Sequence, residues 1–360
     1  MIIQPMSETF AASAQIARVP NPAMSAPLEA LLEGICPLAH LGTIRAQGAD
    51  ATVFLQGQLT QDVALLGNGA STLAAYCSAK GRMLASFWVY KVDTDHYLLV
   101  CSRDILAATL KRVQMYVLRA KLKLSDASSE ILLHGLVTKD PNYTINNITN
   151  CFYIWLGNRH EFSINSFTYH CAILLSDTAG ADAVGGNAAL ASQQGLPNLP
   201  PLSQTAWSWL DVMGAVATIT QPVVEAFVPQ MLNYESVGGV SFKKGCYPGQ
   251  EVVARSQFRG TLKRRAYLVE SHAPMAVGQE VFSPQDAEQA CGTVVQTAPR
   301  PPELGHVNDQ AGQAESASAS WNAIVSMQVA AAEHGSLTLA SATGAALTLL
   351  PLPYALLDDI

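Results

Sequence analysis

The chain has 360 residues, too many for one ordinary hydrophobic core, so two or three domains are expected. Hydrophobic residues make up 49% of it and charged residues 14%, which excludes a chain that is disordered throughout. The formal net charge of −7 excludes a protein that coats nucleic acid indiscriminately. Seven cysteines without a CxxC pair indicate a reducing compartment rather than a secreted disulfide scaffold.

The sequence indicates neither a signal peptide nor a membrane span. Its first residues lack a basic stretch followed by an unbroken apolar run. A run of about 18 consecutive apolar residues, the length of a membrane helix, is also missing. We therefore expect a cytoplasmic protein without a membrane partner.

The first part of the chain predicts a loose arm followed by an α+β domain. Residues 1–27 carry Pro, Ser and Ala in no period and are expected to form the N-terminal arm. Residues 28–128 then show strand and helix patterns that predict an antiparallel sheet with helices. The predicted elements are a short helix opened by Asp50, a hairpin of strands 73–78 and 83–91, a strand at 96–101, a helix at 104–119 and a strand at 121–125.

The rest of the chain predicts two further domains. Residues 129–258 contain apolar runs, a linker-like stretch at 179–204 and a helix near 205–213, which indicate a second α+β domain. Residues 259–360 contain short strands with polar turns, which predict a small β-barrel. The stretch 298–320 within it is rich in Pro, Ser and Ala and is expected to be a loop.

Residues 244–251, KGCYPGQE, are the most unusual stretch of the sequence, and we call them the signature segment. Pro248 suits the first position of a helix, and Glu251 then falls in the first turn, where a carboxylate is favourable. This arrangement places Cys246 at the entrance to the helix. A helix start and neighbouring cations both lower the pKa of a thiol, so Cys246 is the candidate reactive thiol.

Two interpretations of Cys246 remain open at this point. Most free cysteines are small buried hydrophobes, which is the structural alternative. The flanking Lys243, Lys244 and Gly245 favour the reactive thiol, because a core cysteine needs none of them. Gly245 would also let the backbone approach a ligand closely.

A basic cluster follows in the otherwise acidic chain. A cluster of this kind attracts a polyanion, either a poly-γ-glutamate tail or an RNA backbone, and the alternative is an ordinary solvated face. Its members between residues 241 and 265 are Lys243, Lys244, Arg255, Arg259, Lys263, Arg264 and Arg265. The histidines form no HxH or HxxxH pair, so the sequence predicts no metal site.

The signature segment closely resembles that of the YgfZ family of folate-binding iron–sulfur proteins, which is related to the aminomethyltransferase (T protein) of glycine cleavage. The resemblance extends in order to residues 54–63, 76–83, 227–230 and 351–354. It implies an α+β fold in which three domains form a ring with antiparallel sheets and a C-terminal β-barrel. Tetrahydrofolate is expected in the central channel.

The resemblance also implies roles for individual residues. Cys246 and Lys244 match the family's signature cysteine and lysine and are the predicted catalytic pair. Trp209 aligns with a tryptophan near the folate site, where it would stack on a pterin ring. The predicted cofactor-binding residues are Trp209, Lys244, Gly245, Tyr247, Gln250, Glu251 and Arg255.

Two departures from the family pattern affect the expected folate site. Relatives carry a glutamate a few residues past the tryptophan, whereas residues 213–217 of this chain read MGAVA and have no carboxylate. Leu41 stands where relatives have an aromatic residue. In the T proteins a catalytic aspartate assists the chemistry, and no counterpart is identified in this sequence.

Together these features predict a folate-dependent accessory protein rather than an enzyme of its own. Its clients would be iron–sulfur enzymes whose clusters it helps to assemble or repair, including enzymes that modify tRNA, with Cys246 as the key thiol. The alternative is a tetrahydrofolate-dependent aminomethyltransferase or methyltransferase, which needs a general base near the folate. A third hypothesis is direct contact with tRNA through residues 241–265.

Overall fold

The structure is a computed structural model of the chain. It describes residues 32–139, 151–155, 162–164, 167–177, 199–258, 262–304 and 320–357. The predicted N-terminal arm and most of the two loop-like stretches lie outside these residues. Within them, no helix is both long and apolar enough to cross a membrane.

Strands and short helices alternate along the described chain. The strands are β1 (Gly34–Pro37), β2 (Leu41–Gln47), β3 (Ser71–Cys77), β4 (Met83–Asp93), β5 (His96–Ser102), β6 (Lys123–Asp126), β7 (Ile131–Thr138), β8 (Cys151–Trp155), β9 (Phe162–Ile164), β10 (Phe167–Asp177), β11 (Arg264–Ser271), β12 (Glu280–Phe282), β13 (Gly292–Pro299), β14 (Trp321–Gln328), β15 (Leu337–Leu339) and β16 (Ala346–Leu350). The α-helices are α1 (Ala51–Gln56), α2 (Arg103–Gln114), α3 (Gln204–Met213), α4 (Gln250–Phe258) and α5 (Val329–His334). Short 3-10 helices cover Gln221–Val223, Pro229–Leu232 and Pro302–Leu304.

The first sheet has five antiparallel strands in the order β3-β4-β5-β2-β6. Its β3–β4 hairpin closes through a hydrogen bond from the Ser78 N–H to the Arg82 carbonyl at 2.8 Å, which confirms the predicted hairpin. Helix α2 is shorter than predicted and ends at Gln114 rather than Arg119. Turns follow it, and Leu118 has a φ of +42°, a left-handed conformation that an α-helix does not contain.

The second sheet has five strands in the order β1-β7-β10-β8, with β9 also paired to β10. Strand β1 comes from the N-terminal part of the chain but pairs with β7, so the two sheets exchange a strand across residue 128. The six C-terminal strands form a closed barrel in the order β11-β14-β13-β12-β15-β16. The antiparallel sheets and the C-terminal β-barrel are therefore confirmed.

Helix α3 connects these parts, because its apolar face belongs to the core that contains both sheets. It begins where predicted, and the Ser203 hydroxyl accepts a hydrogen bond from the Ala206 N–H at 3.1 Å, a normal N-cap. On its other side α3 packs against β13 and β14 of the barrel. A second apolar cluster fills the barrel itself. Side chains on α3 therefore meet residues from all three sheets.

Candidate functional site

The signature segment lies between the 3-10 helix Pro229–Leu232 and α4, but its local conformation differs from the prediction. Helix α4 begins at Gln250, two residues later than a helix with Pro248 at its first position. The reason is Gly249, which has a φ of +80° and cannot be a helical residue. Its carbonyl accepts the first helical hydrogen bond, from the Val253 N–H at 3.2 Å.

The left-handed conformation of Gly249 brings the segment against the β3–β4 hairpin. A Cβ atom on Gly249 would lie 2.4 Å from the Ser78 carbonyl oxygen and 2.6 Å from the Gly81 Cα. A Cβ atom on Gly81 would in turn lie 2.8 Å from the Val252 Cβ. The two glycines thus allow two backbones to touch. Gly245, for which the sequence predicts close approach to a ligand, has open space where a Cβ would lie, with no atom within 4 Å, and its role stays a prediction.

Lys244 is buried and points into the protein rather than towards an open site. Its ammonium donates hydrogen bonds to the carbonyls of Gln56 and Leu59, which lie at and just beyond the end of α1. The ammonium also lies 4.9 Å from the centre of the Tyr247 ring. Burial lowers the pKa of Lys244 to about 8, while the nearby Asp62 carboxylate opposes this shift. Lys244 therefore anchors the segment to α1, and its catalytic and folate-binding roles stay predictions.

The other predicted residues of the segment divide between interior and surface. Tyr247 is 7% exposed, and burial raises the pKa of its hydroxyl. Gln250 is half-buried at the start of α4, whereas Glu251 and Arg255 of the same helix are exposed. The structure thus brings Lys244 and Tyr247 together, leaves Gln250 half-buried and exposes Glu251 and Arg255 to solvent.

Cys246 is exposed, unlike the other cysteines whose surroundings the structure describes. It lies four residues before the first residue of α4, and only Lys243 of its two preceding lysines is exposed. The buried cysteines are Cys36, Cys77, Cys101, Cys171 and Cys291. Burial raises the pKa of Cys77 and of Cys101 to about 12, which keeps both thiols protonated at neutral pH. Cys246 is thus the accessible thiol of this set.

Trp209 does not line an open site. Its side chain is 4% exposed, and its indole N–H donates to the Asn322 Oδ1 at 2.8 Å on the barrel strand β14. The Arg300 guanidinium lies 6.0 Å from the centre of its ring. Trp209 therefore fills the contact between α3 and the barrel, and its stacking on a pterin ring stays a prediction.

A narrow cavity, which we call the α3 cavity, lies where α3 meets both sheets. Its free volume is about 20 Å³, enough for about one water molecule. The residues that line it are Leu41, Leu73, Ser86, Phe87, Trp88, Val100, Cys101, Ile173, Trp207, Asp211, Val216, Ala217, Thr218 and Tyr234.

Trp207 is the tryptophan of α3 that borders this cavity. It is buried, and its ring lies directly over Gly135 of β7, where an added Cβ would come within 2.2 Å of the ring. Trp207 and Trp209 differ by about 200° in direction around the helix axis, so only one of them can face the sheets. The sequence resemblance had selected the other one.

Asp211 provides a carboxylate on the cavity wall that the sequence reasoning missed. The Gln296 side-chain amide, on β13, donates to the Asp211 Oδ2 at 2.5 Å, and its carbonyl accepts the Thr218 N–H at 3.0 Å. Burial raises the pKa of Asp211 to about 6, and the bond from Gln296 partly offsets the shift. Its surface is partly accessible because it borders the cavity. The i, i+4 spacing from Trp207 was the available signal, since it places both side chains on one helix face.

The loop after α3 forms another part of the wall and holds a strained residue. Ala215 has a φ of +53°, a conformation that costs a non-glycine residue free energy. Two tyrosine hydroxyls hold the loop in place. Tyr234 donates to the Ala217 carbonyl at 2.6 Å, and Tyr354 donates to the Ala215 carbonyl at 2.8 Å.

The basic cluster is smaller on the surface than in the sequence. Lys244 is buried, as described above, and Arg265 is 8% exposed. The Arg265 guanidinium pairs with the Glu235 carboxylate at 2.9 Å and donates to the Leu357 carbonyl at 3.0 Å. Arg259 lies outside the described residues. Contact with tRNA through residues 241–265 stays a prediction, and it now depends on the exposed cations Lys243, Arg255 and Lys263.

Comparison with known proteins places this geometry in a family. Residues 32–137 match the GCVT N-terminal domain. An uncharacterized protein of Haemophilus influenzae is 31% identical over 68% of this chain and 76% of its own length. The tRNA-modifying protein YgfZ of Photobacterium profundum is 30% identical over 64% of this chain and 68% of its own. The protein of the same name from Vibrio vulnificus is 29% identical over 66% and 71%.

The fold also resembles a solved structure, the glycine cleavage system aminomethyltransferase T of Bartonella henselae. The TM-score is 0.60 at 15% identity, over 91% of this chain and 88% of that one. This likeness confirms the predicted aminomethyltransferase-type fold. With the sequence relatives above, it shows that the chain belongs to the YgfZ family.

Proposed function

We propose that this protein binds a reduced folate in the α3 cavity and works in the cytoplasm as an accessory protein for iron–sulfur enzymes, including enzymes that modify tRNA. The observation that carries the proposal is the position of the cavity, where α3 and both sheets of an aminomethyltransferase-type fold meet around aromatic side chains. The printed name of the relatives, tRNA-modifying protein, supports the tRNA part. We keep residues 28–128, 129–258 and 259–360 as the proposed domains.

The chemistry of the cavity lining suits a pterin ring. Trp207 and Trp88 offer flat apolar faces, and Ser86, Thr218 and Asp211 offer polar atoms at the edges. Pockets for small ligands combine these two features, but they usually have about 300–1,000 Å³ of space. The cavity is far narrower, so binding requires the loop 214–218 or the Trp207 ring to move. When bound, the folate would supply a carrier for one-carbon units, and the residues named here would hold and orient it.

A second role, that of the working thiol, is proposed for Cys246. Its exposure makes it available to a client protein or to a cluster ligand, which the buried cysteines are not. The exposed Lys243 beside it favours a negatively charged partner. The signature segment would therefore present the thiol, while the α3 cavity holds the folate.

The folate part is tested by anaerobic titration with tetrahydrofolate, followed by tryptophan fluorescence with correction for ligand absorption. We expect a saturable change that Trp207→Phe reduces more than Trp209→Phe does, because Trp207 borders the cavity and Trp209 does not, while Trp88 at the same cavity supplies the remaining signal. Absence of saturable binding to the wild-type protein would refute the folate proposal.

The thiol part is tested in cells that lack the chromosomal gene. We expect Cys246→Ala to lower the activity of iron–sulfur-dependent tRNA-modifying enzymes at least tenfold. Cys291→Ala is the matched control, because this thiol is buried in the barrel and should leave client activity unchanged. Full activity with Cys246→Ala would remove the role proposed for the thiol.

A folate-dependent aminomethyltransferase or methyltransferase is the second candidate. Asp211 favours it, because a carboxyl group with a pKa of about 6 beside the cavity is a suitable general base near neutral pH. This reading predicts formation of methylenetetrahydrofolate or methyltetrahydrofolate from an aminomethyl or methyl donor. Lack of product across a panel of such donors, with folate binding intact, would leave the accessory function.

A further inference from the structure

A second and much larger space, which we call the α2 groove, lies between helix α2 and the segment 221–225. Its free volume is about 330 Å³. Sites that receive a ligand commonly offer about 300–1,000 Å³, so the groove has room for a large side chain. Leu84 and Ile105, which are both buried, and the half-buried Val224 give it apolar walls. The groove therefore suits an apolar group that enters from the surface.

The side of the groove that α2 forms is positively charged. Lys111 and Arg112 both line it, and Glu225 lines the side of the loop segment. Burial raises the pKa of the Tyr76 hydroxyl, and a hydrogen bond that the Arg112 guanidinium donates to it opposes the shift. This bond holds Arg112 in place at the groove. An occupant with carboxylates beside its apolar group, turned towards α2, matches this charge distribution.

Large apolar side chains continue from the groove onto the surface. Met115 lines the groove and is 62% exposed, and Tyr116 and Leu118 just beyond it in the chain are 47% and 89% exposed. Exposed apolar side chains that are grouped and surrounded by polar ones mark interaction surfaces, in which Met, Tyr and Arg are enriched. A small molecule in the groove would leave these residues uncovered, so a protein segment fits the surface better.

The β3–β4 hairpin connects the groove to the signature segment. Leu84 lines the groove, and Gly81, which packs against α4, lies three residues before it. Three residues span at most about 11 Å. The Glu225 N–H donates to the Met83 carbonyl at 2.8 Å, which ties the loop side of the groove to the same hairpin. A protein that fills the groove is therefore held beside the segment that carries Cys246.

We infer that the α2 groove binds a segment of a partner protein in which a large apolar side chain is flanked by aspartate or glutamate residues. The apolar side chain enters between Leu84 and Ile105, and the carboxylates pair with Lys111 and Arg112. This inference deepens the proposed accessory function and rests on it only for the identity of the partner, an iron–sulfur client. Among the described residues, the groove and the α3 cavity share no lining residue, so the docking site is separate from the proposed folate site.

The test uses the purified full-length protein and fluorescein-labelled peptides, with binding followed by fluorescence anisotropy. The probe is a nonapeptide with a central leucine flanked by two aspartates on each side. One comparison peptide has lysine in place of aspartate, and the other has glycine in place of leucine. We expect the probe to bind with a Kd of about 100 μM or lower and both comparison peptides to bind at least tenfold more weakly.

Two results of the peptide experiment would overturn the inference. The first is no saturable binding of the probe up to about 1 mM, or equal binding of the lysine peptide. The second is binding of phosphatidylserine vesicles without binding of the probe, which would assign the groove to a membrane surface.

Two pairs of variants locate the binding in the groove. Ala108→Trp fills the groove, and Ala107→Trp is the matched control, because Ala107 is an exposed alanine of the same helix that does not line it. We expect the first to weaken binding of the probe at least tenfold and the second to leave the Kd within twofold. Lys111→Glu should weaken binding similarly, whereas Lys123→Glu should not; both lysines are exposed, so neither change threatens the fold. Equal affinity in both tryptophan variants would overturn the inference.

The link to the accessory function is tested in cells that lack the chromosomal gene. We expect Ala108→Trp to lower the activity of the iron–sulfur client enzymes at least fivefold, and Ala107→Trp to leave it unchanged. Full client activity with Ala108→Trp, together with a loss in Cys246→Ala, would overturn the inference and leave the accessory function standing. Binding of the probe in the groove, with full client activity in both Ala108→Trp and Cys246→Ala, would support the docking surface and overturn the accessory function.

Discussion

The signature segment and the wall of the α3 cavity differ in how well their local interactions are satisfied. In the segment, the Lys244 ammonium donates a hydrogen bond to a carbonyl at the end of α1. Gly249 packs against the hairpin turn so closely that no side-chain atom would fit there. Burial disfavours the charge of Lys244 too, but two carbonyls and the nearby Asp62 carboxylate compensate it, whereas one neutral amide compensates the buried charge of Asp211 at the cavity wall. The loop after α3, beside this wall, also holds Ala215 in a left-handed conformation. Unfavourable features persist where function uses them. The comparison suggests that the segment is organised for packing and the wall for binding.

The largest effect is expected from Gly249→Ala. The new methyl group would meet the Ser78 carbonyl and the Gly81 backbone, and the φ of +80° is unfavourable for alanine. Loss of about 3 kcal/mol or more in the free energy of unfolding is expected from a backbone clash with strain. Denaturant unfolding measures this change.

Gly245→Ala is the matched control within the same segment. Its added methyl group has no atom within 4 Å, so we expect a change of about 0.5 kcal/mol or less. Equal destabilisation by the two substitutions would contradict the assignment of the close backbone contact to Gly249.

Lys244→Met is expected to cost about 2 kcal/mol, because the carbonyls of Gln56 and Leu59 lose their donor inside the protein. The difference between wild type and variant should also grow with pH. The folded-state pKa of about 8 is below the unfolded value, so the unfolded state holds the proton more tightly between about pH 8 and 10.5. The stability that Lys244 contributes is therefore fully present above this window and decreases as the pH falls through 8.

Lys243→Met provides the comparison for that experiment, because this lysine is exposed. We expect its unfolding free energy to stay within about 0.5 kcal/mol of wild type at every pH. A larger cost for Lys243→Met than for Lys244→Met would show that the segment is not anchored by the buried amine.

A substitution in the cavity wall should stabilise the protein, whereas Lys244→Met destabilises it. We expect Asp211→Asn to be more stable than wild type at pH 7.5 by about 1–2 kcal/mol. Asparagine keeps an acceptor for Gln296 and avoids the buried charge. Because the folded-state pKa of about 6 is raised, the wild type is most stable below its unfolded pKa and loses stability as the pH rises through 6. The gain should therefore vanish below about pH 4. Melting curves across this range would contradict the assignment if the gain were absent or independent of pH.

Local patterns in the sequence predicted much of the fold. Two β-rich runs joined by residues 79–82 predicted the β3–β4 hairpin, and short strands with polar turns predicted the barrel. The pairing of β1 with β7 was not predictable in this way, because a four-residue strand carries no signal of a partner about 100 residues later. Helix α2 was predicted too long because the apolar spacing continues beyond Gln114 although the backbone does not.

The site was only partly predictable for a similar reason. The sequence marks Lys244 and Cys246 as unusual, but a charge in a sequence does not reveal whether the side chain ends at a carbonyl or in solvent. Only the fold shows that Lys244 is buried while Cys246 is exposed. Trp207 and Asp211 could have been recognised by their helical spacing, whereas the link from Asp211 to Gln296 spans 85 residues and needs the structure.

The smallest effect concerns the strained loop of the cavity wall. Ala215→Gly should raise the free energy of unfolding by about 0.5–1 kcal/mol, because glycine adopts the left-handed conformation without the cost that alanine bears. Ala107→Gly, at an exposed position inside α2, should instead lower it by about 1 kcal/mol, as glycine does in a helix. If Ala215→Gly were destabilising like its control, the wall would hold no local strain, and the contrast with the signature segment would rest on Asp211 alone.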